Sequence, residues 1–169
     1  MNINPMIDEL CKLKVKFANE FSCYLKSEQK SISLKDLYQI IHYNDLSQIK
    51  WDASFYVIFT DYKFNENKCT WVVGEKYKAI YRGHCATPKR RIESHLYNST
   101  HNKLRQGNAY KVCMKADYPR SGIDIDKLPH KKYSWFVYQL RLKGSNVLIR
   151  EQAEQGFDLL FNKPLASYS

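Results

Sequence analysis

The stretch Ser54–Gly83, SFYVIFTDYKFNENKCTWVVGEKYKAIYRG, decides the fold. Its first run, Ser54–Asp61 (SFYVIFTD), is dense in aromatic and β-branched residues and reads as a strand. The polar Asn65-Glu66-Asn67 turns the chain, and Cys69–Gly74 (CTWVVG) reads as a second strand. Glu75-Lys76 then makes a tight turn into a third, Tyr77–Gly83 (YKAIYRG). Strands this close in sequence predict an antiparallel meander. Just downstream, Thr87-Pro88 opens a helix, with Thr as N-cap and Pro in the first turn, where its missing N–H costs nothing. That helix buries Ile92 and Leu96, one turn apart.

Upstream the period is helical. Ile7, Leu10, Cys11, Leu13, Val15, Phe17, Phe21 and Leu25 predict a helix from Ile7 to about Leu25. SEQKSIS then reads as a break, and Ser33 as the cap of a second short helix, LKDLYQIIHY. This helical arm covers residues 1–50. Downstream, AYKVCMKA (Ala109–Ala116) looks like a strand within an irregular basic stretch, about 98–132, broken by Pro119, Gly122 and Pro129. YSWFVYQLRL (Tyr133–Leu142) is the next strong strand. Ser145 caps a long helix, NVLIREQAEQGFDLLFN, which Pro164 ends. The sum is an α+β fold: a small central antiparallel sheet flanked by helices, with an N-terminal helical arm.

Composition narrows the partners. The 169 residues carry Lys+Arg 27 against Asp+Glu 17, a net charge of +10 and a pI near 9.3. A domain this basic attracts polyanions, because cations near phosphates release condensed counterions. Nucleic acid is expected ahead of a membrane, since neither a lysine-rich amphipathic helix nor a lipidation signal is present. Five cysteines (Cys11, Cys23, Cys69, Cys85, Cys113), with no CxxC, read as reduced, buried or partly buried thiols of a cytosolic protein. A zinc site pooling His84, Cys85, His95 and His101 matches no usual spacing and is not expected. The first residues are too charged for a signal peptide, so the expected compartment is the cytoplasm, or export by a route without a cleaved signal.

Candidate chemistry gathers on two helices and two strands. Arg91 and His95, four residues apart, share a helix face beside the buried Ile92 and Leu96, where a cleft would lie; Lys89 and Arg90 extend the positive field. On the last helix the apolar stripe reads Ile149, Ala153, Phe157 and Leu160, with Gly156 at a tight contact. At about 100° per residue, Glu151 falls opposite that stripe and Glu154 at its margin. A carboxylate at the rim suits a hard cation such as Mg²⁺. Tyr56 stands in the first strand and Tyr81 near the end of a later one, just before Gly83.

This ordered set resembles the GIY-YIG endonuclease superfamily, in particular its restriction-endonuclease-like branch. Ser54-Phe55-Tyr56 stands where the family has Gly-Ile-Tyr, and Tyr81-Arg82-Gly83 where it has Tyr-Ile-Gly. Arg91, ten residues after Tyr81, falls where the family arginine falls, and His95 matches a histidine that some members carry one turn later. Glu154, ten residues before Pro164, fits the metal-binding glutamate. The resemblance spans about Ala53 to Leu165, so residues 51–169 would form the nuclease-like domain. The first motif lacks its Gly-Ile, the Tyr56–Tyr81 interval implies an inserted strand, and Ala166 and Ser167 replace an asparagine expected after the proline.

The resemblance implies a Mg²⁺-dependent (or Mn²⁺-dependent) endonuclease that uses one ion to hydrolyse DNA, most readily double-stranded DNA. It would be a type II restriction enzyme or a nuclease effector. By resemblance Tyr56 would be a phenolate base, Tyr81 would position water or phosphate, Arg91 would clamp the scissile phosphate and Glu154 would hold the metal. His95, and His84 beside it, would assist; the sequence leaves open which tyrosine is the base. A free phenol, with a pKa near 10, would need neighbouring cations, Arg91 with Lys78 or Lys89, to lower it. DNA contacts would come from His84, Lys89, Arg90, Arg105, Lys111 and Arg120. Lys115 of the same basic stretch could face DNA too, and recognition would reside there and in the helical arm. The alternatives are a non-catalytic nucleic-acid-binding module and an RNase using the same site. An oligomer, or an inhibitor or immunity protein if the chain is a toxin, is compatible with this reading.

Overall fold

A computed structural model describes residues 3–97, 114 and 122–167. Strand β2 (Ser54–Thr60) runs through the centre, and every one of its residues is buried. Its side chains alternate, as a period of two requires. Phe55, Val57 and Phe59 join a core with Phe21 and Leu25 of α1 (Asn4–Ser31) and with Ala153, Phe157 and Phe161 of α3 (Val147–Phe161). Tyr56 and Ile58 face the opposite core, with Ile92 and Leu96 of α2 (Pro88–Leu96). Two aromatic-rich cores therefore sandwich one antiparallel sheet, and the α+β architecture is the expected one.

The sheet order is β1-β5-β2-β4-β3, with β1 Tyr38–Gln39, β3 Val72–Val73, β4 Tyr77–Cys85 and β5 Trp135–Arg141. This corrects the meander: β4, not β3, pairs with β2, and β3 is a short edge strand beyond β4. Burial explains the difference. Trp71 is wholly buried and its ring stacks on Phe161 at 4.7 Å, so the chain before β3 is held against α3 and meets only the outer side of β4.

The second short helix is also corrected. Ser33 caps a single 3₁₀ turn, its N–H and hydroxyl both donating to Asp36 Oδ2 at 2.8 and 2.7 Å. The chain then extends into β1, with Ile40 N–H donating to the Trp135 carbonyl at 2.9 Å. Sheet pairing and burial of Leu37 and Ile40 override the helical spacing there. The expected break at SEQKS lies inside α1, which runs on to Ser31. Ile149 is corrected too: it is 37% exposed, and Phe161 fills the buried stripe of α3.

Helices α1 and α3 pack so closely that a Cβ at Gly156 would collide with the Ala18 carbonyl. Beyond that contact the first half of α1 leaves Met6, Ile7, Leu10, Leu13 and Val15 exposed. Two α1 cysteines, Cys11 and Cys23, are exposed rather than buried; Cys69 is buried and Cys85 partly so. No helix among the described residues is long and apolar enough to cross a membrane.

Two details of β4 shape the site. First, β4 carries a bulge: Ile58 pairs with Tyr81 and Phe59 with Ala79, leaving Ile80 as the extra residue. Second, β3 covers only Tyr77 and Lys78, Ala79 is bonded by the Trp71 carbonyl and the Asn67 amide, and from Ile80 on that edge is capped by the C-terminal segment. Ala166 N–H donates to the Ile80 carbonyl, and Ser167 brackets Arg82, accepting from its N–H at 2.8 Å and donating to its carbonyl at 3.2 Å. Ser167 thus performs a structural task in the region where the resemblance leads one to expect an asparagine.

Candidate active site

Downstream of the bulge, β4 alternates again. Tyr81 and Gly83 face α2, while Arg82 and His84 face α3. Gly83 pairs with Tyr56 across the strands. A Cβ on Gly83 would lie 2.7 Å from the Tyr81 ring and 3.0 Å from both tyrosine hydroxyls, so only glycine lets the two phenols converge. The rings stack with centroids 6.0 Å apart.

His95 closes the group from α2. Its Nε2 lies 3.2 Å from Tyr56 Oη, and its ring centroid 4.1 Å from that of Tyr81. It is not at the edge of the buried stripe, as its spacing suggested, but wholly buried. Burial first, then Arg91, pushes its pKa down to about 3, so the imidazole is neutral at ordinary pH. Its Nδ1 is buried without a hydrogen-bond partner. A neutral ring can donate to or accept from Tyr56 through Nε2, according to its tautomer.

Both phenols are raised, not lowered. Burial is the main cause at Tyr56 and at Tyr81, and Arg91 pulls each of them back. The expected help from Lys78 and Lys89 is absent. The Lys78 ammonium donates to the Asn67 carbonyl at 2.7 Å, and Lys89 lies over the Trp51 ring, 5.2 Å from its centroid. Arg91, partly exposed on the first turn of α2, is therefore the cation that acts on Tyr56, Tyr81 and His95 alike.

Glu154 approaches around the capped edge of β4. It is half-buried, as its place at the stripe margin predicted, and Glu151 is exposed. Arg82, which sequence reading gave no role, holds it and ties it to a second carboxylate, Asp158. Arg82 Nη1 meets Glu154 Oε2 at 2.5 Å, and the same guanidinium grips Asp158 with Nε to Oδ1 at 3.0 Å and Nη2 to Oδ2 at 2.6 Å. Glu154 and Asp158, four apart on α3, carried a spacing signal that a search for shared helix faces would find; Arg82 carried none beyond its place in the motif. Burial pushes the Glu154 carboxyl up to about 7 against the pull of Arg82, with Asp158 adding to the rise. Its charge raises Tyr81 in turn, which ties the carboxylate side to the phenol side.

Of the expected DNA-contacting residues, Arg90 is exposed and Lys89 partly so on α2. His84 stands on the α3 side, half-buried, its pKa lowered first by burial and then by Arg150. Arg105, Lys111, Lys115 and Arg120 lie outside the described residues, as do His101, Cys113 and all but Met114 of the strand expected over Ala109–Ala116.

The donor set has the chemistry that one hard cation needs. Two carboxylates against one guanidinium leave a net negative charge, and the Glu154 side chain keeps 20% exposure. Among the described residues no three His, Cys, Asp or Glu side chains gather as a closed metal site. The arrangement fits an open Mg²⁺ site with one or two carboxylates, its remaining shell made of water and phosphate oxygens. Comparison with protein-family models, with curated proteins and with solved structures gives no match.

Proposed function

We propose that the protein is a metal-dependent endonuclease that hydrolyses phosphodiester bonds of DNA. The observation that carries this reading is the convergence of Tyr56, Tyr81 and His95 over Gly83, beside Arg91 and within the field of Glu154. Arg91 binds the scissile phosphate and offsets charge as it develops at phosphorus. Tyr81, at 6% exposure against 0% for Tyr56, is the phenol better placed to meet the attacking water. Tyr56 holds Tyr81 from behind, and His95 orients Tyr56. With its pKa near 3, His95 is too weak a base to keep a proton, so its task is positioning. Glu154, steadied by Arg82, would hold Mg²⁺. The bound ion would supply charge neutralisation at the leaving oxygen.

The deciding assay incubates purified protein with plasmid DNA and with RNA, each with Mg²⁺ or chelator. Nicking or linearisation of the plasmid only with Mg²⁺ is expected. Cutting of RNA alone would make it a ribonuclease, and salt-sensitive binding without cutting of either polymer would overturn the enzyme reading.

The same assay has an expected pH profile. A protonated carboxyl is a poor ligand for a hard cation, so at limiting Mg²⁺ cleavage rises with pH through about 7, where Glu154 ionises. Saturating Mg²⁺ moves the midpoint to lower pH, because the ion favours the carboxylate. A profile flat between pH 6 and 8 at limiting metal, to take a window of about one unit on either side, would remove Glu154 from the metal site.

A further inference from the structure

Trp51 is 64% exposed, whereas Trp71 and Trp135 are 0% and 1% exposed. Its backbone is nevertheless pinned. Lys50 N–H donates to Gln139 Oε1 at 2.9 Å, and Gln139 Nε2 donates back to the Lys50 carbonyl at 2.9 Å. The same amide nitrogen reaches Ser54 Oγ at 2.9 Å, and Ser54 Oγ donates to the Asp52 carbonyl at 2.6 Å. The turn on both sides of Trp51 is thus fastened to β5 while its indole is turned to solvent. The Lys89 ammonium lies over that ring, 5.2 Å from its centroid.

A large aromatic face, held still beside a cation, is the form that nucleic-acid proteins give to a base-stacking platform. Its place fits. Ser54 pairs with Cys85 and with Arg141, so the Trp51 turn lies at the end of the sheet where β4 leads into α2. Lys89 precedes Arg91 by two residues on that helix. From Trp51 to Tyr56 the chain spans at most about 18 Å, a few nucleotides of strand. Lys89 at the ring, with exposed Lys50 next to Trp51 in sequence and exposed Arg90 next to Lys89, offers phosphate contacts.

We infer that Trp51 stacks on an unpaired nucleobase of the strand whose phosphate Arg91 holds. The substrate class is therefore a single strand, or a duplex opened locally beside the cut. This rests on the nuclease reading above.

The test measures binding in chelator, so that nothing is cut. Wild type, Trp51→Ala and Trp51→Phe are titrated into a labelled single-stranded oligonucleotide and into the same strand as a blunt duplex. Emission from the buried Trp71 and Trp135 checks that each variant is folded. Trp51→Ala is expected to weaken single-strand binding on the order of tenfold, and duplex binding less, while Trp51→Phe keeps most of the affinity. In wild type, oligonucleotide should also shield Trp51 from iodide quenching. Unchanged affinity in Trp51→Ala, or equal losses in Ala and Phe variants, would overturn the stacking role while leaving the nuclease reading intact. Failure of wild type to bind either form would overturn both.

Discussion

Replacing Arg91 by alanine is expected to slow phosphodiester cleavage by on the order of 10²–10³-fold, the usual loss when one preorganised charge-stabilising group is removed. Binding of uncut DNA in chelator should fall much less. Two effects add. The scissile phosphate loses its forked donor, Tyr56 loses the cation that opposes its burial, and Tyr81 loses the larger of its two. The second effect has its own signature: the basic limb of the pH–rate profile moves to higher pH. Arg91→Lys retains the charge but not the fork, so it should restore the limb more than the rate. Equal losses of affinity and rate in Arg91→Ala, with an unmoved profile, would reduce Arg91 to a binding residue.

Arg82→Ala should produce the largest loss of stability. It leaves Glu154 and Asp158 facing each other at 20% and 26% side-chain exposure with their shared cation gone. Removing one partner of a fully buried ion pair costs about 3–5 kcal/mol, and partial exposure here brings the expectation to about 2–4. For a domain of this size that lowers Tm by roughly 5–10 °C. The deficit should depend on pH with a definite sign. Burial places Glu154 near 7 in the folded protein, above an ordinary unfolded carboxyl near 4.5, so the folded state takes up its proton first. The carboxyl therefore costs stability as pH rises through that interval, and without Arg82 the cost grows. Thermal melts of wild type and Arg82→Ala should lie closest near pH 4.5 and diverge toward pH 7.5. A constant gap would mean that Arg82 stabilises by packing alone.

Much of the architecture was legible because local signals and burial agreed. SFYVIFTD forms a strand, Ser54–Thr60, as its composition suggested, and Thr87-Pro88 starts α2 where expected. The Tyr81, Arg91 and His95 spacings bring those side chains together, and helical geometry placed Glu154 at the margin of its stripe. What failed depended on distant parts of the chain. LKDLYQIIHY has helical spacing, yet its Tyr38 finds a strand partner in Val137. The second strand of the apparent meander is carried outward because Trp71 seeks Phe161. Arg82 and Asp158 meet across 76 residues, a pairing no local pattern encodes. The phenol pKa values run opposite to expectation because burial, which no local pattern of charges encodes, outweighs the nearby cations.

The extra residue at Ile80 has a consequence for the whole arrangement. In an alternating strand, parity is address: odd and even positions look to opposite sides. Ile80 breaks the count once, between the part of β4 that pairs with Phe59 and the part that pairs with Ile58. Were Ile80 instead to take Ile58 as its own partner in an unbroken ladder, every address that follows would be exchanged. Tyr81 would be delivered to the carboxylates of α3, and Arg82 to the imidazole beneath α2. The chemistry of this site is therefore written in the identities of its residues and also in a single change of reading frame, made in three dimensions by one isoleucine.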